Sequence, residues 1–369
     1  MSSYVIAARR TPVAPRGGAL CRADPHVMGA AAVQACLADA GIAPAQVDEL
    51  IAGNALGAGG NPARLVALAA GIPERVAGLS IDRQCASGLD ALLLADAMIG
   101  AGLADIVLAG GAESYSRRPM RLRTDPDGGP PVPYDRPPFS PWPERDPEMA
   151  EAVDALGKAL GISRTAQDDW AVRSHEKALA ARARLRAELA PVPGYALGDD
   201  AYSRPLSSAV CQRATPVFGS VTAANAAVAA DAAAFCLVVS EAVAKKTGQP
   251  ALRISAGVTT GGAPEHPGLA PVAAIGRALA RARLRPDGIC VAEIMEAYAV
   301  QAIACVEGAG LAPEITNPGG GALARGHPIG ASGAVLAVRL FHELREQSGA
   351  GLAAIAAAGG IGTALVLES

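Results

Sequence analysis

Apolar runs of strand length alternate with helical patterns along the chain. Residues 26–40 space their apolar side chains as an amphipathic helix does, and Gly41 supplies the stop. Val47-Asp48-Glu49-Leu50-Ile51-Ala52-Gly53 then reads as a strand, and Ala104-Asp105-Ile106-Val107-Leu108-Ala109-Gly110-Gly111 as a buried strand ending in glycines. The buried-strand signal returns over 232–240, Ala-Ala-Ala-Phe-Cys-Leu-Val-Val-Ser. This alternation predicts an α/β architecture with helices covering the sheets.

Residues 118–147 break the pattern. Asp125 to Pro147 contains Pro130-Pro131, Pro137-Pro138, Pro141 and Pro143, which excludes a helix or a sheet interior. The segment is expected to be a stiff surface strap or a subunit contact. Tyr134, Phe139 and Trp142 concentrate aromatics there, which also fits a lid that reshapes a pocket. A helix with Ser163 as N-cap begins near Arg164 and carries Gln167, Asp168, Trp170 and His175.

The chain also repeats itself weakly. Val47-Asp48-Glu49-Leu50-Ile51 is echoed by Val291-Ala292-Glu293-Ile294-Met295, and Ala86-Ser87-Gly88 by Ala331-Ser332-Gly333, each opening an apolar helix. Ile106 to Gly111 is echoed by Ala354 to Gly360. The period is too long for a solenoid, so two similar α/β halves with a site at their junction are expected.

Composition narrows the function classes. At 369 residues, the chain exceeds one small core. Only 3% of residues are aromatic against 51% hydrophobic, so helices and sheets must meet through small side chains. Lys and Arg number 32 and Asp and Glu 35, without long runs, giving no basic patch for nucleic acid. Seven scattered cysteines form no Cys-x-x-Cys pair, which argues against a zinc site or a disulfide framework. The N-terminal Met1 to Arg10 reads as a short strand and lacks the long apolar core of a signal peptide, and no stretch is apolar enough to span a membrane. The cytoplasm is the expected location.

Two segments carry chemistry. Gly326-His327-Pro328-Ile329-Gly330-Ala331-Ser332-Gly333 places a histidine on a glycine-bounded turn before an apolar helix. Cys85-Ala86-Ser87-Gly88 places a thiol in a similar setting, among the polar neighbours Arg83, Gln84 and Ser87. A helix N-terminus favours a thiolate, and a thiol beside an imidazole is the core of a cysteine acyl-transfer site. His26, His175 and His342 lie on helical patterns and read as surface or packing residues, and His266 as a loop residue.

Seven segments, in order, resemble the thiolase family: Arg10-Thr11-Pro12, Gly57 to Arg64, Gly110-Gly111-Ala112-Glu113-Ser114, Val221 to Ala226, Glu296-Ala297-Tyr298-Ala299, Gly326-His327-Pro328 and Gly359-Gly360-Ile361-Gly362. The resemblance covers most of the chain. It implies two βαβαβαββ halves in a five-layered αβαβα arrangement with an inserted loop domain: residues 1–117 with 232–250, the loop domain 118–231, and residues 251–369. It implies a homodimer or homotetramer and an acyl-CoA thioester as substrate, with no retained cofactor and no metal. Cys85 is then the nucleophile and His327 the base that takes its proton. The oxyanion is held by backbone N–H groups, that of Cys85 and one from the Ala357-Ala358 turn. Met295, Glu296, Ala356, Ala358 and Gly359 belong to the oxyanion or pocket region, and Asn225, Ala227 and Ser332 to coenzyme A binding.

This chain departs from the family pattern at two positions. The Glu-Ala-Phe-Ala motif is preceded in the family by asparagine or histidine. Here Met295 stands there, with no hydrogen to donate. A second cysteine lies three residues before the family's terminal Gly-Gly and removes the α-proton of acetyl-CoA. Here that position is Ala356. Ala227 also replaces a serine that contacts pantetheine, and Pro267 a pocket methionine. Glu296, Tyr298, Glu113 and His266 are the residues the sequence offers as a replacement base, and spacing places none of them. The expectation is an acyltransferase whose acceptor is coenzyme A or an already activated nucleophile. The alternatives are a thioesterase working through the same acyl-enzyme, and a degenerate thiolase that only binds acyl-CoA or a partner subunit.

Overall fold

The computed structural model describes residues 2–369. The apolar runs form strands β1 (Ser3–Arg10), β2 (Glu49–Gly53), β3 (Leu79–Ile81), β4 (Ile106–Ser114), β5 (Ala230–Ser240), β6 (Leu252–Gly261), β7 (Ile289–Ile294), β8 (Ala350–Ala357) and β9 (Ile361–Glu368). They join a ten-stranded sheet in the order β7-β8-β9-β6-β1-β5-β4-β2-β3, with the short strand Ala14–Pro15 paired to β5. The weak repeat is visible in the pairing. In one half β2 runs parallel to β4, which is antiparallel to β5, which is antiparallel to β1. In the other half β7, β8, β9 and β6 repeat that sequence of directions. The halves join where β1 meets β6, at Tyr4 opposite Arg253 and Val5 opposite Leu252.

The principal helices are α1 (Pro25–Ala40), α2 (Pro62–Ala69), α3 (Ser87–Gly100), α4 (Met149–Leu160), α5 (Arg164–Ala180), α6 (Ala270–Ala282), α7 (Ala299–Gly308) and α8 (Ser332–Glu346). Strand periodicity sorts the side chains between layers. On β4, Val107 and Ala109 enter the central core with α3 and α8, while Ile106 and Leu108 face α1. On β8, Ala353 and Ile355 face the centre, and Leu352 and Ala354 face α6 and α7. Both faces of the strands are covered, which is why they read as unbroken apolar runs. The layers therefore stack as helix, sheet, helix, sheet, helix.

The central layer is a close crossing of α3 and α8, and glycine makes it possible. A Cβ at Gly53, Gly88 or Gly111 would lie 2.6, 2.8 or 2.5 Å from the carbonyl oxygen of Gly330. Small residues let three elements of one half press against the turn that carries His327 in the other.

The proline-rich segment contains a short hairpin, Arg121–Arg123 with Val132–Tyr134, and otherwise runs irregularly. Helix α5 starts where expected, with Ser163 Oγ accepting from Ala166 N at 3.1 Å. Beyond it, a buried ionic cluster ties the chain together. Glu188 accepts from Arg10 at 2.6 Å and from Arg339, and Arg10 also donates to Asp200 at 2.7 Å. Burial alone would raise the Glu188 carboxyl, but Arg339 and Arg10 outweigh it and hold the group at about 2. No helix among the described residues is long and apolar enough to cross a membrane.

Candidate active site

Cys85 stands on a tight turn just before α3. Gln84 takes φ +53°, a left-handed conformation uncommon for a side-chain-bearing residue. Ser87 holds the turn: its Oγ donates to Gln84 O at 2.6 Å and accepts from Arg83 N at 2.7 Å. His327 is presented from the other half. Gly326 adopts φ +113°, open to glycine alone, and His327 N donates to Val228 O at 2.7 Å. A 3₁₀ turn over Ile329–Ala331 then leads into α8.

Although 242 positions apart in sequence, the thiol and the imidazole meet: His327 Nε2 lies 3.2 Å from Cys85 Sγ. The other ring nitrogen, Nδ1, is 2.6 Å from Ser332 Oγ. Burial pushes the Cys85 thiol up to about 12, its own backbone N–H and the Glu113 charge being smaller influences. Burial pushes the His327 imidazole down to about 4. The pair is therefore neutral at rest, and the tautomer carrying its proton on Nδ1, which donates to Ser332, is the one that leaves Nε2 free to accept from the thiol. The helix N-terminus that the sequence suggested would favour a thiolate is outweighed by desolvation.

Both groups open on a cavity of about 490 Å³. Of the residues singled out in the sequence, Ala227, Pro267, Ala356, Ala357, Ala358 and Tyr298 line it with Cys85 and His327. The proline-rich strap contributes Arg136, Pro137 and Phe139 to the wall, so it covers the site rather than standing apart from it. Arg136 is fixed there by Asp146 at 2.6 Å and lies 5.0 Å from the Phe139 ring centre.

Five other residues sit elsewhere. Met295 is 1% exposed, in the central core, with its N–H donating to Ala354 O at 2.9 Å. Glu296 points away from the cavity into a bracket, accepting from Trp170 Nε1 at 3.0 Å, Ser174 Oγ at 2.7 Å and Asn317 Nδ2 at 2.8 Å. Gly359 is a turn residue packed under Phe139, where an added Cβ would meet a carbonyl oxygen at 3.0 Å. Asn225 holds its own loop, accepting from Thr222 N and donating to Asp168 Oδ1. Ser332 serves His327. Sequence position alone could not separate these brackets from a wall, because each depends on which distant element docks against it: α5 on Glu296 and Asn225, the strap on Gly359.

The remaining candidate bases divide sharply. Glu113 is pushed up to about 7 by burial, against the backbone N–H groups that favour its charge. It accepts from Ala55 N at 2.8 Å, Gly330 N at 3.0 Å and Asn54 Nδ2 at 2.7 Å, so it clasps the two halves together. His266 is exposed and outside the wall. Tyr298 lies in the wall with Cys85. Arg16, Arg118 and Arg121 also line the cavity, and no motif in the sequence marked them.

Known proteins resemble this chain along nearly its whole length. The thiolase N-terminal domain family matches residues 3–242 and the thiolase C-terminal domain family residues 249–369. The chain is 39% identical to the YhfS protein of Bacillus subtilis over 379 residues, covering 100% of this chain and 99% of that one. It is 38% identical to an acetyl-CoA acetyltransferase of Cupriavidus necator, covering 99% and 98%. The crystal structure of the Bacillus anthracis acetyl-CoA acetyltransferase superposes with a TM-score of 0.92 at 32% identity, covering 100% of this chain and 98% of that one. Human mitochondrial 3-ketoacyl-CoA thiolase gives the same TM-score and coverage at 30% identity. Five stacked layers, a cysteine and a histidine meeting across the half-junction, and matches along nearly the whole length place the chain in the thiolase family.

Proposed function

We propose that this protein is an acyl-CoA acyltransferase that forms an acyl-enzyme on Cys85. The observation that carries the reading is the 3.2 Å contact between Cys85 Sγ and His327 Nε2 at the wall of the cavity. In the first half-reaction the thiol proton passes to Nε2 as sulfur attacks the thioester carbonyl. The tetrahedral oxyanion is received by the N–H groups of Cys85 and Ala358. Its collapse expels the coenzyme A thiolate, which takes the proton back from the imidazolium. Ser332 accepts from Nδ1 and keeps Nε2 aimed at sulfur. The names of the Cupriavidus and Bacillus anthracis relatives support a coenzyme A thioester as donor.

The acceptor is coenzyme A itself or a nucleophile that is already activated. Condensation onto plain acetyl-CoA needs a base at the wall, and Ala356 offers none. A missing base costs on the order of 10²–10⁴ in rate, and a missing oxyanion donor about 3 kcal/mol. The first half-reaction is untouched by either loss.

Intact-protein mass spectrometry with a panel of acyl-CoAs tests the reading. An acyl adduct on the native protein that disappears in Cys85→Ala supports it. Free acid accumulating with turnover would make the protein a thioesterase. No adduct from any donor would make it a binding protein.

A further inference from the structure

The acceptor half of the reaction needs a proton carrier, and the cavity wall contains two phenols: Tyr115, whose ring lies under Arg16 and Arg118, and Tyr298, the one close enough to feel the charge of Cys85. Tyr298 is the N-cap of α7, its carbonyl accepting from Ala302 N at 3.1 Å and its backbone bridging to Ala226. Those contacts fix the ring in the same wall as Cys85, His327 and Ala356. Glu296 is committed to Trp170, Ser174 and Asn317, and the Gln301 carboxamide oxygen to Ala297 N at 3.3 Å, while Gln301 Nε2 in the same wall has no partner and, as a donor-only group, cannot supply a base. The Tyr298 hydroxyl has no protein hydrogen-bond partner among the described residues. Burial, and after it the charge of a Cys85 thiolate, pushes the phenol up to about 12. It is therefore protonated at neutral pH and acts as a donor.

We propose that Tyr298 is a catalytic proton donor that protonates the carbanion released when Cys85 cleaves a 3-oxoacyl-CoA. This rests on the acyltransferase reading and names thiolysis as the direction the site favours. Cys85 gives its proton to His327 and its sulfur attacks the 3-keto carbon. The bond between carbons 2 and 3 breaks, and its electron pair stays on carbon 2 as the enolate of acetyl-CoA. The Tyr298 hydroxyl transfers its proton to carbon 2, leaving a phenolate and free acetyl-CoA. Incoming coenzyme A gives its thiol proton to the phenolate and attacks the acyl-Cys85 thioester. The expelled Cys85 thiolate recovers its proton from His327, and every group returns to its starting state.

The test is Tyr298→Phe, which removes one oxygen and keeps the ring in the wall. Acylation of Cys85 by a simple acyl-CoA, followed by mass, is expected at the native rate. The kcat for coenzyme A-dependent cleavage of acetoacetyl-CoA or 3-oxohexanoyl-CoA is expected to fall about 10²–10⁴-fold with KM unchanged. A variant kcat within about threefold of native overturns the assignment. So does a native protein that acylates Cys85 but cleaves neither 3-oxoacyl-CoA. If the native protein forms no acyl adduct at all, the acyltransferase reading falls first, and this assignment with it.

Discussion

Cys85 and His327 meet only because α3 and α8 cross without side chains between them, and Gly88→Ala tests this directly. A methyl group there would lie 2.7 Å from Ala334 N and 2.8 Å from Gly330 O, both backbone atoms that cannot rotate aside. Moving from 2.7 Å to an ordinary 3.4 Å contact separates the helices by about 0.7 Å. Cys85 lies three residues before Gly88 and His327 three before Gly330, on opposite sides of the contact. The separation therefore appears in their 3.2 Å hydrogen bond. A misplacement of about 1 Å can cost on the order of 10²-fold in rate, so a loss of at least about tenfold is expected. Overpacking costs about 1–3 kcal/mol, partly offset by about 0.5–1 kcal/mol from replacing glycine with alanine in a helix. Single-turnover acylation followed by mass reads the rate, and urea denaturation reads the stability. Acylation at the native rate with an unchanged denaturation midpoint would refute the argument that this crossing sets the catalytic distance.

Ser332→Ala removes the acceptor of His327 Nδ1. At about 1–3 kcal/mol per orphaned buried donor, acylation should slow about 5- to 150-fold with KM for acyl-CoA unchanged. A raised KM with an unchanged rate would instead return Ser332 to substrate binding. Because burial holds the thiol up at about 12 and the imidazole down at about 4, the resting pair is neutral. Alkylation of Cys85 by iodoacetamide should then climb with pH beyond the ordinary thiol value of 9.0, and a plateau near neutrality would show an ion pair instead. Glu188→Ala removes the carboxylate that bridges the buried Arg10 and Arg339, leaving Asp200 alone to Arg10 and Glu343 to Arg339, at a cost of up to about 3–5 kcal/mol in urea denaturation, and a loss below about 1 kcal/mol would refute it. The Glu188 carboxyl is held at about 2, below its ordinary 4.5. Its contribution is thus complete above pH 4.5 and lost as pH falls towards 2, more weakly in the variant than in the native protein.

The fold was legible because it repeats and because its strands are covered on both faces. Ile106 to Gly111 and Ala354 to Gly360 look alike since β4 and β8 occupy equivalent places in the two halves, each followed by an antiparallel neighbour. The Ser163 cap and the Gly41 stop are local signals that tertiary packing did not override. The strap was legible only as something that could be neither helix nor sheet interior. Proline excludes hydrogen-bonding patterns but does not say which surface a chain will cover. Phe139 and Arg136 reach the cavity because distant partners hold the strap there, Glu265 on Arg145 and Ala55 O on Arg121.

The site divides the same way, by whether chemistry or packing decides a residue's place. Cys85 and His327 sit on turns whose glycines and helix starts are written in the local sequence, so their meeting could be anticipated. Met295 and Glu296 are their opposite. They follow β7 directly, and strand geometry sends neighbouring side chains to different surroundings, one into the central core and one beneath α5. A methionine in that core donates nothing but also leaves no vacancy in the cavity wall. The loss of the family's asparagine therefore removes a donor without opening space, whereas the loss of cysteine at Ala356 does alter the wall itself. Tyr298, two residues beyond Glu296, returns to the cavity with a hydroxyl where the family motif carries phenylalanine. One short segment has thus exchanged an amide for a thioether on its buried side and gained a phenol on its open side. The site's proton chemistry turns on that second exchange.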